Sequence, residues 1–439
     1  GRLKGYHVVS QTRLQGFKLI KDFLEKELFD NNIAALSSFL MAILFWHVNF
    51  SRIGFRAIMI PFILVFEFYF LWRAFKSSEL KEFIYAGIFA GLGAYTYISY
   101  RVSPLIVIIA FANYWWYLKK DFSESRYEYA RQRMFKGFVV MVATSLLIAL
   151  PMIFFLINYP ETFFSRTGAS LSVFGQNEPF YELLNNIVRT LGMFNFYGDF
   201  NWRHNISGAP QLVWPIGVLF AIGFIKELIH LFRMKHGHLS PIHVLLFSWF
   251  FVMLLPGFLS TESPHALRTI GVIPVVVIFA GKCLRWLYEK MHNNLMVYEF
   301  DAHHRHRMHV MLNLTLVIFL FAISVVEFSR YHETWGKSAD GAFNQNYVDI
   351  ANSLKSLSAD QKKYVVVNTD GVMVEIPDDP SGRSMPMPAM TVMFLTDTFS
   401  YQKQVKKNIY YLTEDEFKIT NISEDSAVLF LEESIDITL

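Results

Sequence analysis

Apolar residues in this chain gather into runs close to the roughly 20 residues that cross a hydrocarbon core, separated by mostly short polar connections. About nine such runs, at 33–50, 56–75, 82–98, 103–118, 136–158, 210–232, 240–258, 268–288 and 307–328, predict membrane-spanning helices. Ahead of them, segment 1–32 interleaves Phe17, Leu19, Ile20, Phe23, Leu24 and Leu28 with Lys18, Lys21, Asp22, Glu25 and Lys26. That spacing predicts an amphipathic helix, and the missing initial Met suggests a piece of a longer chain.

Two regions break the membrane pattern. The connection 159–209 is far longer than an ordinary loop and is rich in Phe, Leu and Asn, with helical spacing at 180–193. Connections of that length are usually functional or disordered, and this composition does not suit disorder. After 328 the chain turns polar. There 364–368, 391–396, 408–412 and 427–431 predict strands, 346–357 a helix and 376–388 a loop. Together they predict a small α/β domain at 331–439.

Composition excludes a soluble globular protein. Hydrophobic residues make up 53% and charged residues only 18%, against about a quarter charged in soluble domains. Nothing in the chain calls for nucleic acid as a partner; its expected surroundings are a lipid bilayer. The net charge of +3 matters less than its distribution. One set of connections carries Arg73, Lys76, Lys81, Lys119, Lys120, Arg126, Arg131, Arg133, Lys136 and a further basic group from Lys226 to Arg307. The opposite set holds only Arg52, Arg56, Arg101, Arg166, Arg189, Arg203 and Arg268. The positive-inside rule makes the first set cytoplasmic. Arg52, Arg101, Asp199 and Arg268, the long loop and the C-terminal domain then lie outside, in a plasma or inner membrane if the cell is prokaryotic. The single cysteine, Cys283, allows no internal disulfide.

Charged groups at a bilayer boundary either snorkel to water or line a polar site. Arg52 and Arg101, the latter beside Tyr95, Tyr97 and Tyr100, suit either an aromatic interfacial belt or phosphate binding through a planar guanidinium. Gly87, Gly91 and Gly93 form a small-residue packing stripe, since no strand precedes them as a dinucleotide loop requires. Segment 195–210 concentrates Asp199, Asn201, Arg203, His204 and Asn205 among aromatic residues. It suits either a sugar-binding surface or a capped turn. The turn 256–268 adds Glu262, His265 and Arg268. His303, His304, His306 and His309 stand among Arg305 and Arg307, so a solvated basic loop is favoured over a metal site. No metal-ligand spacing, Walker loop or nucleophile elbow occurs, and no cofactor is assigned.

Four segments, "HVNFSRIG" at 47–54, "TYISYRVSP" at 96–104, "DFNWRHN" at 199–205 and "PGFLSTESPHALRTIG" at 256–271, carry a resemblance. With them the chain resembles the GT-C membrane glycosyltransferases, above all the family of protein O-mannosyltransferases and the lipid A aminoarabinose transferase. The resemblance implies a multi-span fold that moves a sugar from a polyprenyl-phosphate carrier to an extracytoplasmic protein or glycan acceptor. It implies donor-phosphate roles for Arg52, Arg101 and Arg268. Asp199, Asn201, Arg203, His204, Asn205, Glu262 and His265 become candidates for sugar or acceptor binding. Family members carry a catalytic acid, usually an Asp-Glu pair, in the first external loop. Here that loop is expected upstream of Gly1, which leaves the catalytic residue unknown and Asp199 as a substitute. Arg56 and Ala57 also stand where O-mannosyltransferases have an Asp after the Ser-Arg motif. A transporter, with Glu67 as its membrane-embedded acid, and a non-catalytic sensor are the alternatives.

Overall fold

The computed structural model describes residues 30–121, 124–160, 173–232, 240–297 and 302–432. Most of the expected amphipathic segment 1–32, together with Arg166, lies outside the described residues. The chain divides into two compact units, Gly1–Trp335 and Gly336–Leu439.

The first unit is a helical bundle. Among the described residues seven helices are long and apolar enough to cross a membrane, or eight if one bent pair counts as a span. The bent pair is Asn31–Ile43 and Phe45–Ile53, which meet at 56° where Leu44 leaves helical geometry. The expected span 82–98 is shorter than its hydropathy suggested. Its helix, Leu80–Gly93, has 14 residues and stops before the aromatic turn that follows, so the nine expected spans reduce to this smaller set.

Burial separates the helices that form the centre from those that face lipid. In Ile270–Leu295, 78% of the apolar window is buried, whereas in Glu128–Asn158 the figure is 11%. The second leaves Leu146, Leu147, Leu150 and Phe154 exposed, as an outer helix in lipid should. The centre is packed with aromatic rings: Phe194, Phe220, Phe224, Phe250 and Phe279 contact one another with centroids 5.0–6.4 Å apart. Glycines allow the closest helix contact. A side-chain carbon at Gly87 would stand 2.5 Å from the Met141 carbonyl, and one at Gly91 would stand 2.6 Å from Ile148 Cβ. Bare backbone at both positions lets Leu80–Gly93 and Glu124–Asn158 pack tightly.

The second unit has a three-stranded parallel sheet, with Lys363–Val367 between Ile409–Thr413 and Ala427–Phe430. Val365, Val392, Met393 and Tyr411 occupy its core. The Gln345–Ser356 helix stands where 346–357 predicted one. Two expectations fail here. Segment 391–396 is a helix, Ala389–Thr396, because Val392 and Met393 pack inward together and Asp397 ends the turn in left-handed geometry. The expected loop 376–388 contains a strand, Ser384–Pro386, paired antiparallel with Met373–Glu375.

Candidate functional site

The Phe45–Ile53 helix ends at Gly54, whose φ of +80° suits glycine alone at low cost. The chain turns there, so Arg52 and Arg56 do not continue along one helical face. Arg52 places its guanidinium 4.8 Å from the ring centroid of Tyr331, an edge-of-bundle cation–π contact. Arg56 opens the short turn Arg56–Ile58 that feeds the Met59–Ser77 helix. Arg101 lies in an equivalent turn, Ile98–Val102, which feeds Ser103–Asp121.

Arg56 and Arg101 line one cavity of about 630 Å³. Tyr95, Tyr97 and Tyr100 supply its aromatic lining, and Met152, Ile153, Phe155 and Leu156 its apolar wall. Both arginines sit in short turns that lead into helices, Met59–Ser77 and Ser103–Asp121, whose positive dipole ends add to the local potential. Tyr100 is fixed from below: its hydroxyl donates to Glu67 Oε2 at 2.6 Å, and its ring lies where any side chain at Gly93 would be. Among the described residues, the lining holds no carboxylate. Sequence reading assigned no role in this cavity to Arg56, Glu67 or Gly93. The usable signal was an arginine two residues after a glycine and directly before an apolar run.

The second cluster is closed. Asp199 is 4% exposed, and its Oδ2 accepts from the Ala266 N–H at 2.8 Å and faces His204 Nδ1 at 2.9 Å. Its Oδ1 accepts from the Asn201 N–H at 2.8 Å. Asn201 in turn accepts from the Arg203 N–H, forming a side-chain-supported turn. Asn205 is buried and donates through Nδ2 to the Asp199 and Ala209 carbonyls. Gly198 is required beside it, since a side-chain carbon there would meet Asn205 and Gln211. The His204 ring stacks on Phe50 at 5.6 Å and meets the edge of Phe55 at 5.9 Å, while His265 lies 4.9 Å away. Asn49 fastens the same loop by donating to the Arg203 carbonyl at 3.2 Å.

The turn at 260–268 completes this cluster. His265 Nε2 lies 3.3 Å from Glu262 Oε2 and its Nδ1 3.8 Å from Asp199 Oδ2. Arg268 binds Ser260 Oγ and reaches Glu262 at 3.3 Å, so its charge is engaged by a carboxylate. The Pro179–Gly192 helix braces the turn from outside, with Asn186 donating to the Ser260 carbonyl at 2.7 Å. Burial alone would raise the Asp199 carboxyl, but the His204 hydrogen bond, the neighbouring rings and the Asn201 N–H outweigh it and hold it below the usual range. Burial pushes the His265 ring down to about 3, against the pull of Asp199 and with the push of Arg268, so it is neutral at ordinary pH.

Of the residues singled out in the sequence, Asp199, His204 and His265 therefore come together, with Glu262 and Arg268 beside them. Arg101 joins Arg56 in the cavity, whereas Arg52 faces Tyr331. One ligand atom from each of Asp199, His204 and His265 lies within 4.8 Å of the others, an arrangement able to hold a metal ion. Local spacing could not reveal it, because His265 comes from a turn remote in sequence. His303, His304 and His306 are exposed at the start of the Ala302–Ser329 helix.

No protein-family model matches the sequence, and comparison with characterised proteins found no match. Among solved structures, the chain is similar to the oligosaccharyltransferase AglB from Archaeoglobus fulgidus, in complex with an inhibitory peptide and a dolichol-phosphate. Identity is 13% and TM-score 0.47, over 81% of this chain and 50% of that one. It is also similar to ArnT from Cupriavidus metallidurans bound to undecaprenyl phosphate. There the identity is 12% and the TM-score 0.42, over 95% of this chain and 76% of that one. The chain thus spans about half the length of the oligosaccharyltransferase, and similarity of this degree assigns no chemistry to its residues.

Proposed function

We propose that this chain binds a polyprenyl-phosphate sugar and takes part in glycosyl transfer to a protein or glycan acceptor at the extracytoplasmic face. The observation that carries this reading is the shared cavity of Arg56 and Arg101. Two guanidinium groups and two helix starts favour a phosphate, and the wall of Met152, Ile153, Phe155 and Leu156 favours an isoprenoid tail arriving from lipid. Departure of the sugar leaves negative charge on the carrier phosphate, and fixed cations stabilise that charge as it develops. Arg52, set against Tyr331, and Arg268, engaged by Glu262, are weaker candidates for the phosphate than the two arginines that line the cavity. Asn201 and Arg203, both exposed on the neighbouring loop, face the acceptor or the sugar. Asp199 holds that loop in shape, and the acceptor's proton goes to a base not contributed by the cavity lining.

Glu67 does not favour transport, since it is buried and bonded to Tyr100 instead of standing in a water path. The test is calorimetric titration of the detergent-solubilised chain with undecaprenyl phosphate. Arg56→Ala and Arg101→Ala should each weaken binding about tenfold to a hundredfold, the loss of one charge-assisted contact of roughly 1.5–3 kcal/mol. Lysine at either position should recover part of it, keeping charge without the planar fork. Unchanged affinity in both alanine variants would return these arginines to the role of interfacial anchors.

A further inference from the structure

The geometry points to a zinc-class divalent cation site formed by Asp199, His204 and His265, riveting the 195–210 loop to the 260–268 turn. The inference is independent of the donor-phosphate assignment.

It starts from an electrostatic conflict inside the protein. His265 Nε2 faces the Glu262 carboxylate at 3.3 Å, and the tautomer this contact favours carries its ring proton there. The other nitrogen, Nδ1, then presents a lone pair. It is buried without a hydrogen-bond partner and lies 3.8 Å from Asp199 Oδ2, another electron-rich atom. His265 is only 8% exposed, so water does not screen the two. Two lone pairs facing each other in a dry site call for a cation between them.

The remaining geometry suits one. His204 Nδ1 stands 2.9 Å from the same carboxylate oxygen. Tetrahedral zinc with bonds near 2.0–2.1 Å separates neighbouring ligand atoms by about 3.3 Å. The two separations from Asp199 Oδ2, 2.9 and 3.8 Å, bracket that value, and all three ligand atoms lie within 4.8 Å of one another. Two imidazoles and one carboxylate select zinc-like ions over magnesium or calcium, which prefer all-oxygen sets. Supporting contacts are also in place. Glu262 orients His265 through its far nitrogen, and Arg268 holds Glu262, the arrangement that usually fixes a metal-bound histidine. Phe50 and Phe55 enclose His204 in an apolar shell. Three protein ligands leave one coordination position open.

The test uses the whole chain in detergent, stripped by a chelator and titrated with Co²⁺, then with Zn²⁺. One equivalent of Co²⁺ should give the visible absorption of a tetrahedral ion, Zn²⁺ should displace it, and either should raise the melting temperature. His204→Gln and His265→Gln should abolish the absorption while the metal-free proteins still melt cooperatively. Should His204→Gln fail to fold because of its packing on Phe50, His265→Gln decides alone. Glu262→Gln should weaken Co²⁺ about tenfold to a hundredfold, as loss of an orienting partner does. Absence of binding at micromolar metal overturns the assignment. So does binding that survives His265→Gln and disappears only when His303, His304, His306 and His309 are all replaced by Ala.

Discussion

The cavity of Arg56 and Arg101 and the cluster around Asp199 draw on the same kinds of residue and put them to opposite use. In the cavity, Arg56 and Arg101 line the same space as Met152, Ile153, Phe155 and Leu156. In the cluster, the Asp199 carboxylate is surrounded by N–H donors and two rings, and Asn205 and Gly198 close the loop on itself. The difference teaches that a charged residue near a membrane boundary is diagnosed by how its partners are supplied. A group whose partners are built into the fold is holding structure. A group set among apolar residues and a second cation is the place to test for a ligand that matches both, as proposed above for Arg56 and Arg101.

That contrast breaks most sharply at Asp199. Asp199→Ala should destabilise the first unit by about 3 kcal/mol or more, because it leaves the buried N–H groups of Asn201 and Ala266 without acceptors. Thermal unfolding in detergent measures it, and Arg101→Ala in the same assay should lower the melting temperature by less. If the two variants exchanged behaviours, the division between a structural cluster and a ligand cavity would collapse.

Acid should sharpen the same division. In the metal-free protein the His265 ring is pushed down to about 3 from an ordinary value of 6.5. Between those values the unfolded chain takes up a proton that the native state does not, so stability is full above 6.5 and declines as pH falls toward 3. Asp199, held below its ordinary value of 3.8, begins to lose its contribution only once the pH falls below that value. The melting temperature should therefore drop between pH 7 and pH 5, and His265→Gln should flatten that dependence. A parent protein whose melting is level across this interval would show that His265 is not buried as a neutral ring.

The smallest effect belongs to Arg52. Its contact with Tyr331 is exposed, so Arg52→Ala should cost about 0.5–1 kcal/mol and leave undecaprenyl phosphate affinity within a few-fold of the parent. A loss as large as that of Arg101→Ala would enlarge the phosphate clamp to include it.

Much of the membrane architecture was legible in the sequence, because long apolar runs have few stable alternatives in lipid. The failures were local. The helix 80–93 fell short because apolarity continues into the turn that follows it, and length of apolar sequence is not length of helix. Segment 391–396 looked like a strand from its Thr and Val, but tertiary packing of Val392 and Met393 on one side decided for a helix. Within the candidate site, the composition of 195–205 announced a dense polar cluster without showing that both oxygens of Asp199 would be engaged by neighbouring N–H groups. The partnership of Arg56 with Arg101 depends on two turns from separate hairpins meeting, and no local pattern encodes that.

The contact between Gly93 and Tyr100 sets a limit on how this protein can vary. Tyr100 rests on a position that carries only hydrogen, and from there its hydroxyl reaches Glu67. The chamber's inner boundary is thus defined by an absent methyl group. Its depth cannot drift by small steps, as a pocket edged with leucine and valine could, because even alanine at 93 displaces the whole ring. Room to change the chamber lies instead among Met152, Ile153, Phe155 and Leu156, whose apolar side chains can be exchanged without displacing Tyr100. One side of the chamber is thus set by backbone and a single ring, while the rest is set by side chains that can be replaced one at a time.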